Sequence, residues 1–142
     1  MDKINSTLSI EQRELLDLHL RYVIEENKTT NLTRITDWET AKILHVEDSL
    51  VGVPFIEKAP QGDYLDMGTG AGFPGIPIAI TTERKTLLAD SVGKKVAALN
   101  RMITKLSLEE IVSTFQGRIE DLAKDQPEYF SVITARALSS LS

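Results

Sequence analysis

The stretch Asp66-Met67-Gly68-Thr69-Gly70-Ala71-Gly72-Phe73-Pro74-Gly75-Ile76-Pro77 decides how the residues around it are read. A short apolar run, Tyr64-Leu65, precedes it, and Ile76, Ile78, Ala79 and Ile80 follow, so it reads as strand end, glycine turn and helix start. Glycine admits positive φ and lets a ligand approach the main chain closely. The helix that follows offers unpaired N–H groups in its first turn. Gly70, Gly72 and Gly75 satisfy G-x-G-x-x-G, a spacing of low specificity by itself. The acid at the strand tip, Asp66, sharpens it: a diphosphate there would meet like charge, whereas an ammonium or sulfonium group would meet its complement.

A second acid, Asp90, ends the next apolar run, Thr86-Leu87-Leu88-Ala89, 20 residues after Gly70. Folds of this kind place a carboxylate on ribose hydroxyls at that distance. The plain alternative is a βα turn with a capping aspartate. Outward from the loop, apolar runs alternate with helical patterns. Strands are predicted over Tyr64–Met67, Thr86–Asp90, Ile111–Gln116 and Phe130–Ala135, with helices over Pro74–Thr82, Ser91–Leu106 and a short one near Ile119–Ala123. Strand then helix, repeated, implies an α/β fold with a parallel sheet and right-handed crossovers. In the helix after Asp90, Val92, Val96, Leu99, Ile103 and Leu106 are set to face the sheet. Lys94, Arg101 and Lys105 align on its outer side, as a solvated face or as phosphate contacts.

Before the loop the pattern is helical. Ser9 and Gln12 form a capping box that opens a helix running to near Asn27, and Asn27 to Thr33 is rich in side chains that favour loops. Thr36 and Glu39 suggest a second box and a helix from about Asp37 to Val51, ended by Gly52 and Pro54. Its apolar stripe includes Trp38, Ala41, Leu44, Ile43, Val46 and Leu50. His45 and Ser49 lie four apart on one face and read as a surface pair. Residues 55–63 form a third short helix and a linker. The division is therefore a helical extension, 1–58, and the start of an α/β domain, 59–142.

Composition narrows the chemistry. The 142 residues hold no cysteine and two histidines, which excludes disulfides, thiol nucleophiles and Cys-ligated zinc and leaves little for any other metal centre. Net charge is −5, divided as −4 over residues 1–58 (7 Lys+Arg, 11 Asp+Glu) and −1 over 59–142 (9 and 10). A polyanion would therefore bind a local patch rather than the whole surface. No secretory leader and no membrane-length apolar run is present, so a globular cytoplasmic protein is expected. The one Gly-Lys pair, Gly93-Lys94, lacks the first glycine of a P-loop.

Taken together, Asn31-Leu32-Thr33, His45 with Asp48-Ser49, the glycine loop with its Phe73-Pro74-Gly75-Ile76-Pro77 continuation, Asp90-Ser91, Arg118-Ile119-Glu120 and Thr134-Ala135-Arg136-Ala137 resemble the RsmG (GidB) family. These are bacterial 16S rRNA guanine-N7 methyltransferases, within the class I S-adenosylmethionine-dependent enzymes. The resemblance runs from about Glu11 to Ser142. It implies a Rossmann-like sheet with the first four strands present and the C-terminal strands missing, S-adenosylmethionine as cofactor, and 16S rRNA in the small ribosomal subunit as partner. It also implies a monomer for the full-length protein, with self-association through an uncovered fourth strand in the shortened chain. On its pattern Gly68 and Phe73 meet the methionine end and the loop, beside Asp66 and Gly70. Asp90, Ser91 and Val92 lie at ribose and adenosine, and Ile119 and Glu120 border the adenine. Arg136 sits by the cofactor and the incoming base, or pairs structurally with Asp66. Phe73 and Arg136 are the candidates for stacking on that base, and no catalytic residue is assigned. Val92-Gly93 and Thr134-Ala135 depart from the family's commoner pairs without loss of a charge or a glycine. Two other readings remain open: a nicotinamide-dependent oxidoreductase using the same loop, and a methyltransferase-like module that binds cofactor or RNA without turnover.

Overall fold

The structure is a computed structural model, and it describes residues 7–118, 120–122 and 130–135. Chain order in the α/β part is β1 (Asp63–Met67), α5 (Gly75–Thr82), β2 (Thr86–Asp90), α6 (Gly93–Lys105), β3 (Val112–Gln116) and β4 (Phe130–Ala135). The four strands form one parallel sheet in the order β3-β2-β1-β4. The predicted strands and the parallel sheet are thus present, with bounds within a residue or two. Strand order reverses between β1 and β4, so β1, which carries Asp66, is central. β4 lies at the end of the order, paired through Asp66↔Thr134 and Met67↔Ala135.

The preceding helices are α1 (Ile10–Glu26), α2 (Trp38–Ala41), a π-helical segment (Lys42–Glu47), α3 (Asp48–Val51) and α4 (Val53–Lys58). Ser9 caps α1 with the reciprocal Gln12 bonds the sequence predicts, at 2.9 and 3.0 Å. The second cap differs. Asp37, one residue after Thr36, accepts from the Thr40 N–H and hydroxyl on one carboxylate oxygen, and aspartate ranks above threonine as an N-cap.

The larger correction is the π segment. Five-residue rather than four-residue hydrogen bonding shifts the helix phase, so Ala41, His45, Val46, Ser49 and Leu50 are buried. Ile43 and Leu44, assigned to the apolar stripe, are instead 56% and 51% exposed. The helical path ends at Val51 with Gly52 as its C-cap, as the sequence predicts, and Gly52 also opens α4, with Pro54 in its first turn, where a missing N–H has no consequence.

One hydrophobic cluster runs from Leu8, Leu16, Leu20 and Val23 of the N-terminal region through Leu50, Ile56, Tyr64 and Ile76 to Leu88, Leu99 and Val112. The helices and the sheet therefore share a core. The linker before β1 is held by Arg84, whose guanidinium donates to the carbonyls of Ile56, Ala59, Pro60 and Gly62 and to Ser131 Oγ. Arginine's planar fork of five donors suits such a junction.

On α6, Val96, Leu99, Ile103 and the residue after the helix, Leu106, are buried as expected, but Val92 is not. The cation row is partly occupied from within. Arg101 makes a two-pronged ion pair with Glu26 of α1, at 2.7 and 2.9 Å, and Lys105 lies 5.3 Å over the Tyr22 ring. The Arg101 hydrogen bonds hold the Glu26 carboxyl below its usual range. A double-mutant cycle on Glu26→Gln and Arg101→Ala is expected to give a coupling of about 1 kcal/mol that shrinks in high salt, as for half-exposed pairs. Zero coupling would show that the contact does not join α1 to α6.

Candidate functional site

Asp66 is fully enclosed at the end of β1. Its Oδ2 accepts from the Gly75 N–H at 2.9 Å and from the Thr69 hydroxyl at 2.6 Å, and its Oδ1 accepts from the Thr134 hydroxyl at 2.9 Å. Because Thr134 gives its hydroxyl proton to Asp66, the Tyr64 phenol, 2.6 Å from Thr134 Oγ1, must be the donor there. Burial and the Asp66 charge push that phenol's pKa up. One carboxylate thus ties the glycine loop, the first turn of α5 and β4 together. Gly75 is required by closeness, since a Cβ would come 2.7 Å from Asp66 Oδ2 and 3.1 Å from its Cβ. Asp66 therefore sits under the loop as its scaffold and does not face open space.

Asp90, at the end of β2, acts from the other side. Its Oδ2 accepts from the Gly70 N–H and its Oδ1 from the Val92 N–H, both at 3.0 Å. Each oxygen keeps a further lone pair. Above it opens a cleft of about 520 Å³ lined by Gly68, Asp90, Ser91, Val92, Lys95 and Glu120, among others. It lies outside the carboxyl ends of β1, β2 and β3, the usual ligand position in such sheets. Gly68 and Gly70 have φ of +68° and +59°, and a Cβ at either would meet nothing within 4 Å. Both glycines leave space over the loop that a side chain would fill. Val92, 44% exposed, gives the cleft an apolar wall.

Of the sequence-predicted site residues, Gly68, Asp90, Ser91, Val92 and Glu120 line this cleft, with Gly70 anchored beside it. Ile119 and Arg136 lie outside the described residues. Phe73 is placed elsewhere. Its ring is wholly buried, 4.6 Å from both the His45 ring, which it stacks, and the His19 ring, which tilts against it. It is therefore not available to stack on an incoming base, and any part it has in binding comes through the shape of the loop. His45 is correspondingly not a surface residue. Buried in the π segment, it shares a 3.0 Å hydrogen bond with Thr33 Oγ1, joining two stretches that carried the family resemblance.

Sequence reasoning passed over His19, Lys95, Gly117 and the side chain of Arg118. His19 Nε2 lies 2.9 Å from the Ala71 carbonyl, which only accepts, so this nitrogen carries the proton. Nδ1 is then an unprotonated atom with no partner. Burial, helped by the nearby His45, lowers the His19 pKa to about 4 against the pull of that carbonyl. Nothing local marks His19. Gly117-Arg118 could have been found as the residues directly after the β3 run. Among the described residues no group of His, Asp and Glu is placed to hold a metal, and no helix is long and apolar enough to cross a membrane.

The fold is shared with solved structures. An O-methyltransferase from Bacillus cereus in complex with SAH superposes with a TM-score of 0.61 at 20% identity, over 84% of this chain and 54% of that one. A second crystal structure, from Klebsiella pneumoniae, gives 0.58 at 17% identity, over 81% and 51%. Among curated proteins, Ribosomal RNA small subunit methyltransferase G of Lactobacillus acidophilus is 37% identical over the whole chain and 61% of its own length. That of Ectopseudomonas mendocina is 41% identical over 94% of this chain and 61% of its own. The chain thus spans about three fifths of the relatives it matches. The family model for rRNA small subunit methyltransferase G matches residues 12–142, which takes in the glycine loop, Asp66, Asp90 and all four strands. This chain belongs to the rRNA small subunit methyltransferase G family.

Proposed function

We propose that this chain carries the cofactor-binding part of an enzyme that methylates N7 of a guanine in 16S rRNA of the small ribosomal subunit, using S-adenosylmethionine, as a cytoplasmic monomer in its full-length form. The observation that carries the reading is the cleft over Gly68 and Asp90 in a member of this family. The residues present fit the cofactor. Asp90 has lone pairs for two ribose hydroxyls, Val92 gives an apolar face for an adenine, Glu120 and Ser91 offer polar rims, and the open glycines leave room for the methionine portion. When bound, S-adenosylmethionine supplies a methyl on sulfonium, whose C–S bond breaks as the N7 lone pair forms the new bond, leaving a neutral thioether and the positive charge on the base.

N7 carries no proton, so no general base is needed. The task of the chain's own residues is alignment, a proximity effect. The Asp66 and Asp90 hydrogen bonds hold the loop from its two sides for that purpose. The test is calorimetric titration of the full-length protein with S-adenosylmethionine, beside Asp90→Ala, followed by mass mapping of the treated rRNA. The variant is expected to bind at least tenfold more weakly, about 1.4 kcal/mol, and the wild type to add one methyl to a guanine. Equal affinity in the two proteins, or binding of NADH instead, would reject the assignment.

A further inference from the structure

A second cavity, about 340 Å³, shares no lining residue with the cofactor cleft. Asp48, Ser49, Phe55, Pro74, Thr134 and Ala135 are among its walls. It lies at the carboxyl end of β4, which pairs with β1 where the strand order reverses, and open α/β sheets place ligands at such a point. One loop bounds both cavities, since Gly68 lines the first and Pro74 the second. Both cavities thus open against the same loop, one at Gly68 and the other at Pro74.

The groove has two features suited to a nucleobase. Phe55 is 75% exposed, an unusual position for a phenyl ring. Asp48 is exposed and makes no hydrogen bond or ion pair among the described residues, so none of their donors occupies its two carboxylate oxygens. Bases differ in what they offer two adjacent acceptors. Guanine presents N1–H and N2–H side by side on its Watson–Crick edge, while adenine and cytosine present an acceptor there and uracil a single N–H between carbonyls. A guanine held by N1–H and N2–H turns its opposite edge, with N7, away from the carboxylate.

We infer that this groove is the acceptor-base subsite, in which Asp48 reads the N1–H and N2–H of an unstacked guanine and Phe55 supports its face, leaving N7 directed at the glycine loop. The inference rests on the guanine-N7 reading above. Single-stranded RNA is commonly recognised in this way, by aromatic support and hydrogen bonds to a splayed base edge.

The test uses the full-length protein, small-subunit rRNA with the methylated guanine mapped, and the same RNA carrying inosine at that position, which lacks N2–H. Wild-type kcat/KM is expected to fall about tenfold from guanine to inosine. Asp48→Ala should methylate both slowly and equally, bind S-adenosylmethionine within twofold of wild type and melt at an unchanged temperature. Asp48→Asn, isosteric, should shrink the inosine penalty below threefold and covers the case in which the alanine variant misfolds. Phe55→Ala should raise KM without lowering the melting temperature. An inosine penalty undiminished in both Asp48 variants, or absent from the wild type, overturns the subsite alone. A marked fall in melting temperature for Phe55→Ala also overturns it, because the groove would then be filled by the chain's own continuation. No guanine methylation by the wild type overturns the subsite and the parent reading together.

Discussion

Asp66→Ala is expected to destabilise the protein by about 3 kcal/mol or more and to weaken S-adenosylmethionine binding at least tenfold in the same sample. The stability loss follows from what the carboxylate holds. Thr69 and Thr134 can turn their hydroxyls toward other acceptors, but the Gly75 N–H is fixed in the first turn of α5 and would be left buried without a partner. A stranded buried donor costs about 1–3 kcal/mol, and the void left by the side chain adds to it. Urea denaturation gives the first quantity and calorimetry the second. The pairing of the two results matters. Lost affinity with stability within 1 kcal/mol of wild type would return Asp66 to the role its sequence position suggested, a charge facing the ligand, and would contradict its enclosure beneath the loop.

The second large effect is on pH dependence. His19 has a pKa of about 4 in the folded protein, against 6.5 when free, because protonation would place an N–H on the buried, partnerless Nδ1. The unfolded chain takes up the proton first, so stability rises with pH between about 4 and 6.5 and is fully present above 6.5. At 1.36 kcal/mol per pKa unit, His19 alone accounts for about 3 kcal/mol lost on acidification from pH 7 to pH 4. Carboxylates such as Glu26 titrate in the same range, so the measurement is a difference. Denaturation midpoints of wild type and His19→Gln, followed from pH 7 to 4, should diverge, with the variant's slope shallower. Parallel slopes would show that His19 is protonated in the folded state without cost.

The same residues explain what the sequence could convey. The glycine loop, Asp90, the four strands and the Ser9 cap are written in adjacent residues, as period, turn chemistry and capping spacing, and were legible. The phase of the second helix was not, because the π segment alters a periodicity that reading at 3.6 residues assumes. Nor was the His19, Phe73 and His45 stack, which joins three distant segments and leaves no local mark. Asp66 was located correctly, yet its surroundings were not, since Thr134 arrives from β4. Local signals thus brought out the residues that line the cleft at Gly68 and Asp90, whereas the groove at Asp48 and Phe55 depended on packing between helices and sheet.

The pairing of β1 with β4 also bears on how the protein is made. Tyr64 meets Val132, whereas it meets Thr86 on its other side. During synthesis from the N-terminus, β2, the partner of β1, and β3, the partner of β2, emerge before β4 leaves the ribosome. Until then Thr134 is missing and Asp66 remains hydrated on one side. Parallel contacts between distant segments form late because the chain entropy of closing them comes first. Among the four described strands, the Thr134 side of Asp66 is therefore the last to be sealed, and a nascent chain stalled before β4 would hold Asp66 by its Thr69 and Gly75 bonds alone.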